Sequence, residues 1–350
     1  MVTTILGVRF APLSLPITRR LETFGTLVWA SLIPGSVLTF LLLLYLPLTR
    51  YPALAYLVWL TLIDKRPDRG GGRIVQSLRH AQLWKYMSKY FPVELVKEAD
   101  LDPSRNYIFG YHPHGILGLG AWTNFVTEGN EFSQQFPGIE LRVCTLGQNF
   151  MVPIMRDILL AMGFASVSKR SIESVLRRPS GSVMIVVGGA QESLYARPGT
   201  LDLVLRKRLG FVKAAIRNHA SLVPVLSIGE NDLYDVATTQ QGSIAYWIQQ
   251  TVKRWFGFTV PLFLGRGIFN YSFGMLPHRR RIASIVCPPV HPEDVVGAVA
   301  IEAAREQGGE AMETAAAAVH AEYIQRLFAA WEKYKDEYAP HRVKEMELVE

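Results

Sequence analysis

Two histidines separated by a single proline stand between an aromatic run and an apolar run, in the stretch NYIFGYHPHGILGLG over residues 106–120. Imidazoles titrate close to neutrality, so His112 and His114 are candidates for acid–base work. Pro113 fixes its own φ and biases His112 toward an extended backbone, which aims both rings, and Gly115 leaves room for a substrate to approach the main chain. Residues 107–111 have the composition of a short buried strand, and the run from Ile116 can continue as a helix. Strand, tight turn and helix N-terminus would hold a reactive side chain at a sheet edge. The positive end of the helix would keep a base neutral near pH 7. A zinc site is the weaker reading: two alternating histidines need further ligands, and Cys144 and Cys287 have no short-spaced partner. No metal is expected.

A second chemical stretch is SVMIVVGGAQES, 182–193, an apolar strand running into Gly188 and Gly189 with Glu192 three residues later. Loops at the carboxyl ends of strands collect functional side chains in open α/β folds, so Glu192 could orient a histidine from the neighbouring strand end. The bland alternative is a carboxylate that satisfies backbone donors at a helix N-terminus. A third stretch, LRKRLGFVK over 205–213, places Arg206, Lys207 and Arg208 near Phe211 and Lys213, a pattern that could hold coenzyme phosphates. Arg170 and the run 278–281 are similar basic candidates. There is no G-x-S-x-G, no Gly-Lys dipeptide of a P-loop and no G-x-G-x-x-G after the first strand.

The elements that must position these residues begin at a charge-free stretch, 24–49, broken by Pro34-Gly35 and Pro47. After Arg50, a second apolar run covers 51–63 and closes at Asp64-Lys65-Arg66. Basic residues on both flanks predict a membrane-embedded helical hairpin over 24–63 with both ends on the cytoplasmic side. The glycosylation acceptor at Asn270 should then stay unmodified. With 49% hydrophobic residues and a mean hydropathy of +0.15, the chain suggests one fairly large domain plus membrane-embedded surface. Its net charge of +7 suits an anionic surface or a phosphate-bearing ligand better than nucleic acid, because the basic residues are scattered. Residues 66–73, RPDRGGGR, read as a linker. Residues 77–98 have a helical rhythm. Strands are predicted at 107–111, 141–145, 164–168, 182–187, 222–228 and 282–286, and helices at 116–135, 153–162, 171–178, 203–218, 243–255 and 310–338. This alternation implies an α/β fold, a largely parallel sheet covered by helices. The organisation expected is a segment 1–23, the hairpin 24–63, a linker and helical lead-in 64–105, and the α/β domain 106–350.

The sequence resembles the diacylglycerol acyltransferase type 2 family, which includes monoacylglycerol acyltransferases and wax-ester synthases. The resemblance rests on YFP at 90–92, LDPSRNYI at 101–108, HPHG at 112–115, FPGI at 136–139, VGGAQE at 187–192, ARPG at 196–199, GFVK at 210–213, LVP at 222–224 and GEND at 229–232, in the family's order from about Arg9 to the C-terminus. FLLLLYLP at 40–47 is similar to the neutral-lipid segment of that family, except that it ends in proline. The resemblance implies an acyltransferase-like α/β domain and acyl transfer from acyl-CoA, as substrate and without another cofactor, to the free hydroxyl of diacylglycerol or monoacylglycerol. His114 would be the base, and backbone N–H groups near Gly115 or Gly188-Gly189 the oxyanion donors. It also implies contact with membrane lipids and residence in the endoplasmic reticulum membrane, with lipid droplets as a second location, and leaves a homo-oligomer open. The more distant glycerol-phosphate acyltransferases carry an Asp five residues after the histidine. Here those positions are Leu117 and Leu119, so Glu192 is the expected carboxylate. A membrane lipid-binding protein without activity and a soluble hydrolase are the competing classes.

Overall fold

The computed structural model describes residues 3–12, 14–236, 242, 247, 251 and 263–349. Its centre is a sheet of β1 (Val93–Lys97), β2 (Asn106–His112), β3 (Glu140–Thr145), β4 (Ala165–Ser166), β5 (Gly181–Val186), β6 (Ala220–Ile228) and β7 (Ile282–Val286). The spatial order is β1-β7-β6-β2-β5-β3-β4, and every pairing is parallel except β6 with β7. The expected mixed α/β architecture with a largely parallel sheet is therefore the observed one. Short apolar runs form these strands because both faces are covered, so no polar face is required.

Side chains of β2 alternate between the two covers. Tyr107, Phe109 and Tyr111 enter one core, and Ile108 enters the other, on the side that also receives His112. The first core is closed by α4 (Gln82–Tyr90), α5 (Met155–Met162) and the N-terminal helices. The second is closed by α6 (Lys169–Leu176), α7 (Gly210–Arg217) and the thirty-residue α8 (Gly309–Tyr338), whose Val319, Tyr323, Leu327 and Trp331 form the predicted apolar stripe.

Four expectations change. Residues 77–98 are not one helix: α4 stops before Pro92, and 93–97 become the edge strand β1 along β7. The stretch 64–105 thus contributes to the sheet, and residues 66–73 are docked, with Arg73 and Val75 donating N–H bonds to Leu160 and Ala161. The helix expected over 116–135 is broken into Leu119–Ala121, a wide turn Trp122–Val126 and Phe132–Gln135. Over 203–218 only Gly210–Arg217 is helical, because Asp202–Leu203 pairs with Glu347–Leu348 and Arg206 to Arg208 lie in the connecting loop. The helix expected over 243–255 lies outside the described residues.

The N-terminal region forms three short helices, α1 (Ile17–Ala30), α2 (Leu32–Tyr45) and α3 (Pro47–Val58). Among the described residues no single helix is long and apolar enough to cross a membrane; α1 and α2 pass that test only as a pair bent by 65°. The break falls at Ser31, and Pro34 sits in the first turn of α2, where its missing N–H costs nothing. Helix α1 begins before the apolar stretch and packs on α4, with Gly25 against the backbone at Leu83 and Met87. Arg50, a charge inside the expected hairpin, donates to the carbonyls of Leu44 and Tyr45 and so caps the end of α2. Ile33, Leu38, Leu41, Leu42, Leu48 and Leu62 remain exposed.

Candidate functional site

The turn after β2 is gripped from both neighbouring strands. Because β5, β2 and β6 are parallel and adjacent, their carboxyl ends deliver residues 187–192, the histidine turn and residues 229–232 to one edge. Glu192, buried, accepts the His114 backbone N–H (2.6 Å) through Oε2 and the Val204 N–H (2.9 Å) through Oε1. From the opposite side Glu230, also buried, accepts the N–H groups of Leu119 (2.6 Å) and Gly120 (2.9 Å) and the Tyr111 hydroxyl (3.0 Å). Burial pushes both carboxyls up to about 7, and the N–H bonds they accept pull the other way. Gly115 sits against Glu230 with φ at +60°, and a Cβ there would lie 2.5 Å from Glu230 Cγ, so glycine is required on both counts.

Neither carboxylate has a hydrogen bond to the imidazole of His114. Its Nδ1 instead lies 3.0 Å from the Gly115 carbonyl, which can only accept, so Nδ1 carries the proton and Nε2 the lone pair. Among the described residues Nε2 has no protein hydrogen bond. Enclosure by surrounding atoms lowers the pKa of the ring below its ordinary value, and the Gly115 carbonyl opposes that shift. Gly115 thus does for Nδ1 what a carboxylate does in a triad: it fixes the tautomer that leaves a neutral base facing outward.

That base lines an apolar cavity of about 450 Å³. Trp29, Leu32 and Ile33 of the N-terminal helices form one wall, Trp122, Leu159 and Phe164 another, and Gly189 and Ala190 lie beside His114 in the lining. Ile33, Leu117, Leu146, Val167 and Met275 line the cavity and are themselves each more than a third exposed, so its mouth is greasy. The Cys144 thiol also lines it but is pushed up to about 12 by burial and is no nucleophile. Trp122 Nε1 is buried without a protein partner among the described residues.

Of the residues singled out from sequence, His114, Gly115, Gly188, Gly189 and Glu192 converge, with Gly188 directly over the Glu192 carboxyl where a Cβ would clash. Pro113 is buried between them, after a cis peptide. His112 faces away from the cavity: it is fully buried, with Nε2 2.8 Å from the Tyr323 hydroxyl, and that hydroxyl donates to the Gly110 carbonyl (3.0 Å). Burial, and to a lesser extent the nearby His320, lower the His112 pKa to about 3. Phe211 packs edge-on against Tyr323 in the same core, and Lys213 pairs with Glu313 on α8. Arg170 is exposed on α6. Arg206, Lys207 and Arg208 are exposed beside a hollow of about 170 Å³, where Arg208 donates to Gln191 (2.8 Å), the residue between cavity-lining Ala190 and Glu192. Glu230, Tyr111 and Tyr323 were not singled out from sequence. Glu230 had a legible signal, a strand, a glycine and an acid, as at 182–192. The partners of the two tyrosines had none.

A family described as diacylglycerol acyltransferase matches residues 42–349. Diacylglycerol O-acyltransferase 2A of Umbelopsis ramanniana is 45% identical over 346 residues, covering 98% of this chain and 94% of that protein. 2-Acylglycerol O-acyltransferase 1 of Bos taurus is 38% identical, covering 95% and 96%. The solved 1-acyl-sn-glycerophosphate acyltransferase of Thermotoga maritima aligns over 91% of this chain and 98% of its own at 12% identity and a TM-score of 0.42, too low to support an argument. The fold and site define an α/β protein with an imidazole in an apolar cavity. The chain belongs to the diacylglycerol acyltransferase family.

Proposed function

We propose that this protein transfers a fatty acyl group from acyl-CoA to the free hydroxyl of diacylglycerol, forming triacylglycerol. The observation that carries the reading is the neutral His114 with a free Nε2 in an apolar cavity walled by the N-terminal helices. Nε2 takes the hydroxyl proton as the oxygen attacks the thioester carbonyl. The tetrahedral intermediate collapses with cleavage of the C–S bond, and the thiolate, a good leaving group, recovers the proton as free CoA. The N–H groups of His114, Leu119 and Gly120 are occupied by carboxylates, so Gly189 and Ala190, at the start of the short helix Gly189–Glu192, are the candidate donors to the oxyanion. Glu192 acts as a positioning residue through the main chain of the turn. Arg206, Lys207 and Arg208 are the candidate phosphate ligands for CoA. The exposed leucines of α2 and α3 support a membrane location, which we assign to the endoplasmic reticulum and lipid droplets, with the α/β domain cytoplasmic.

Monoacylglycerol is the second reading, favoured by relatives whose name specifies a 2-acylglycerol acceptor at 38% and 37% identity, against 42% to 45% for those named for diacylglycerol. Membranes carrying the protein, given labelled oleoyl-CoA with diacylglycerol, monoacylglycerol or a fatty alcohol at equal surface concentration, decide between them. Label should appear fastest in triacylglycerol. Faster labelling of diacylglycerol from monoacylglycerol establishes the second reading, and no label in any acceptor sinks both.

A further inference from the structure

A second cluster of cations lies away from Arg206 to Arg208. Six arginines, Arg9, Arg19, Arg266, Arg279, Arg280 and Arg281, line one groove of about 560 Å³ together with His278, and no carboxylate lines it. They come from three places in the sequence: a hairpin of Thr3–Ile5 and Val8–Phe10, the start of α1, and the segment 263–281. The hairpin is fastened to that segment by N–H bonds from Ala11 to the Phe269 carbonyl, from Tyr271 to the Arg9 carbonyl and from Arg9 to the Ser272 hydroxyl.

The fixed arginines are held from behind. Glu22 pairs with Arg19 and Arg279, Glu94 with Arg281, and Arg266 donates to the carbonyls of Gly267 and Ile268 while stacking over Tyr271. Arg9 and Arg280 are exposed and, among the described residues, have no carboxylate within ion-pair distance. Arg9, Arg280 and Arg281 also border a neighbouring hollow that holds Asp232, Asp235 and Glu337; there Asp235 pairs with His278, and Asp232 accepts the Gly199 N–H while feeling the charge of Arg280. Two exposed guanidiniums with no close ion-pair partner, beside four anchored ones, have the chemistry of a phosphate receptor.

Apolar side chains stand exposed on the same hairpin and segment, outside the lining of the groove: Leu6 is 99% exposed, Phe269 76%, Met275 68% and Phe273 53%. Exposed aliphatic and aromatic side chains beside arginines are what a protein presents to the boundary between lipid headgroups and acyl chains. Two of the three elements that supply the arginines, α1 and the segment 263–281, also wall the apolar cavity. Trp29 and Ala30, at the far end of α1 and about 15 Å from Arg19 by helical rise, line it, as do Phe263 and Met275.

We propose that this groove and the exposed apolar side chains form an interfacial site for the phosphate headgroup of an anionic membrane lipid, with Leu6, Phe269 and Phe273 set among the acyl chains. The site rests on the reading of this protein as membrane-borne. It seats the mouth of the cavity between two lipid contacts, these apolar side chains and the helices α1 and α2, so that a neutral glyceride enters from the bilayer.

The test is co-flotation of the full-length protein, diluted out of detergent, with vesicles of phosphatidylcholine alone or phosphatidylcholine containing phosphatidic acid. Each arginine near an anionic surface is worth about five-fold in partitioning. The wild type should therefore favour the acidic vesicles by roughly ten- to thirty-fold, and Arg9→Gln combined with Arg280→Gln should erase that preference. Phe269→Ser with Phe273→Ser should weaken binding to both vesicle types alike. All four side chains are exposed, so the melting temperature is a control that should stay put. If the arginine variant keeps the preference, the proposal falls while the membrane-borne reading stands; if no form floats with any vesicle, that reading falls first. Titration with free CoA and with inorganic phosphate separates the sources. CoA binding lost in the arginine variant with flotation intact makes the groove a nucleotide site and overturns the lipid assignment.

Discussion

The two layers that cover the sheet treat two neighbouring imidazoles in opposite ways. Beneath α8, His112 is sealed at zero exposure, with a tyrosine hydroxyl on Nε2 and its pKa driven to about 3. Beneath the N-terminal helices, His114 has an unclaimed Nε2 in a cavity of about 450 Å³. Residues two apart along an extended chain would share a face, but the turn at Pro113 breaks that register and sends one ring into each layer. The sealed layer therefore builds the turn, and in the proposed mechanism the open layer does the chemistry.

The most direct way to break this comparison is His114→Ala. General-base catalysis is worth ~10²–10⁴-fold, and acyl transfer should fall by at least that much while the melting temperature hardly moves. An active variant would overturn the mechanism. Gly115→Ala should be nearly as damaging for a different reason, because the Cβ collides with Glu230 and the backbone is left-handed. Strain of this kind costs ~1–3 kcal/mol, so melting temperature and kcat should fall together.

Glu192→Gln tests what a buried carboxylate contributes without touching the ring. One of its two N–H partners would then face an amide NH₂. An unpaired buried donor costs ~1–3 kcal/mol, so kcat should drop by about ten-fold or somewhat more. Added to His114→Ala it should cost little further, since the two act as a unit. Multiplicative losses would show that Glu192 works independently of the base.

The strands could be read from sequence because each is a short apolar run bounded by turn residues, and six of the seven were. The missed one, Val93–Lys97, follows an amphipathic helix with only Phe91 and Pro92 between, and its five residues fit either period. The histidine turn was legible from the fixed φ of proline and the missing side chain of glycine. The carboxylate was found in the right place, and of its two readings the acceptor of main-chain N–H groups is the one observed; the choice depends on the path of the turn. Glu230 follows its strand and glycine as Glu192 does, but its main-chain partners lie more than a hundred residues away; Tyr323 hid in a helical stripe, and the arginine groove in three distant segments. Proximity of that kind comes only from sheet order.

The carboxylates also make the clamp pH-dependent. Glu192 and Glu230 keep their protons up to about 7 when folded but lose them near 4.5 when unfolded, so between those values the folded state binds more protons. Stability should therefore fall as pH rises through this window and level off above about 7. Each group accounts for about 3 kcal/mol of that decline. Glu230→Gln, which cannot ionise, should flatten the profile of melting temperature against pH; an unchanged slope would mean that Glu230 stays ionised throughout.

The smallest effect sharpens the comparison most. Tyr323→Phe removes one hydroxyl from the sealed layer, leaving the Gly110 carbonyl and His112 Nε2 without their partner. The loss should be about 1–3 kcal/mol of stability, visible as a lower melting temperature, with kcat changed by only a few-fold because neither group reaches the cavity. His112→Asn should behave similarly, since it disrupts the same contact. If instead Tyr323→Phe kept its melting temperature and lost activity on the scale of His114→Ala, the tyrosine and His112 would form a relay to the reacting centre through the sheet edge. The division between a layer that builds the turn and a layer that does the chemistry would then be wrong. A pH profile distinguishes the cases: a structural contact leaves the acid limb of kcat where it was, and a relay moves it.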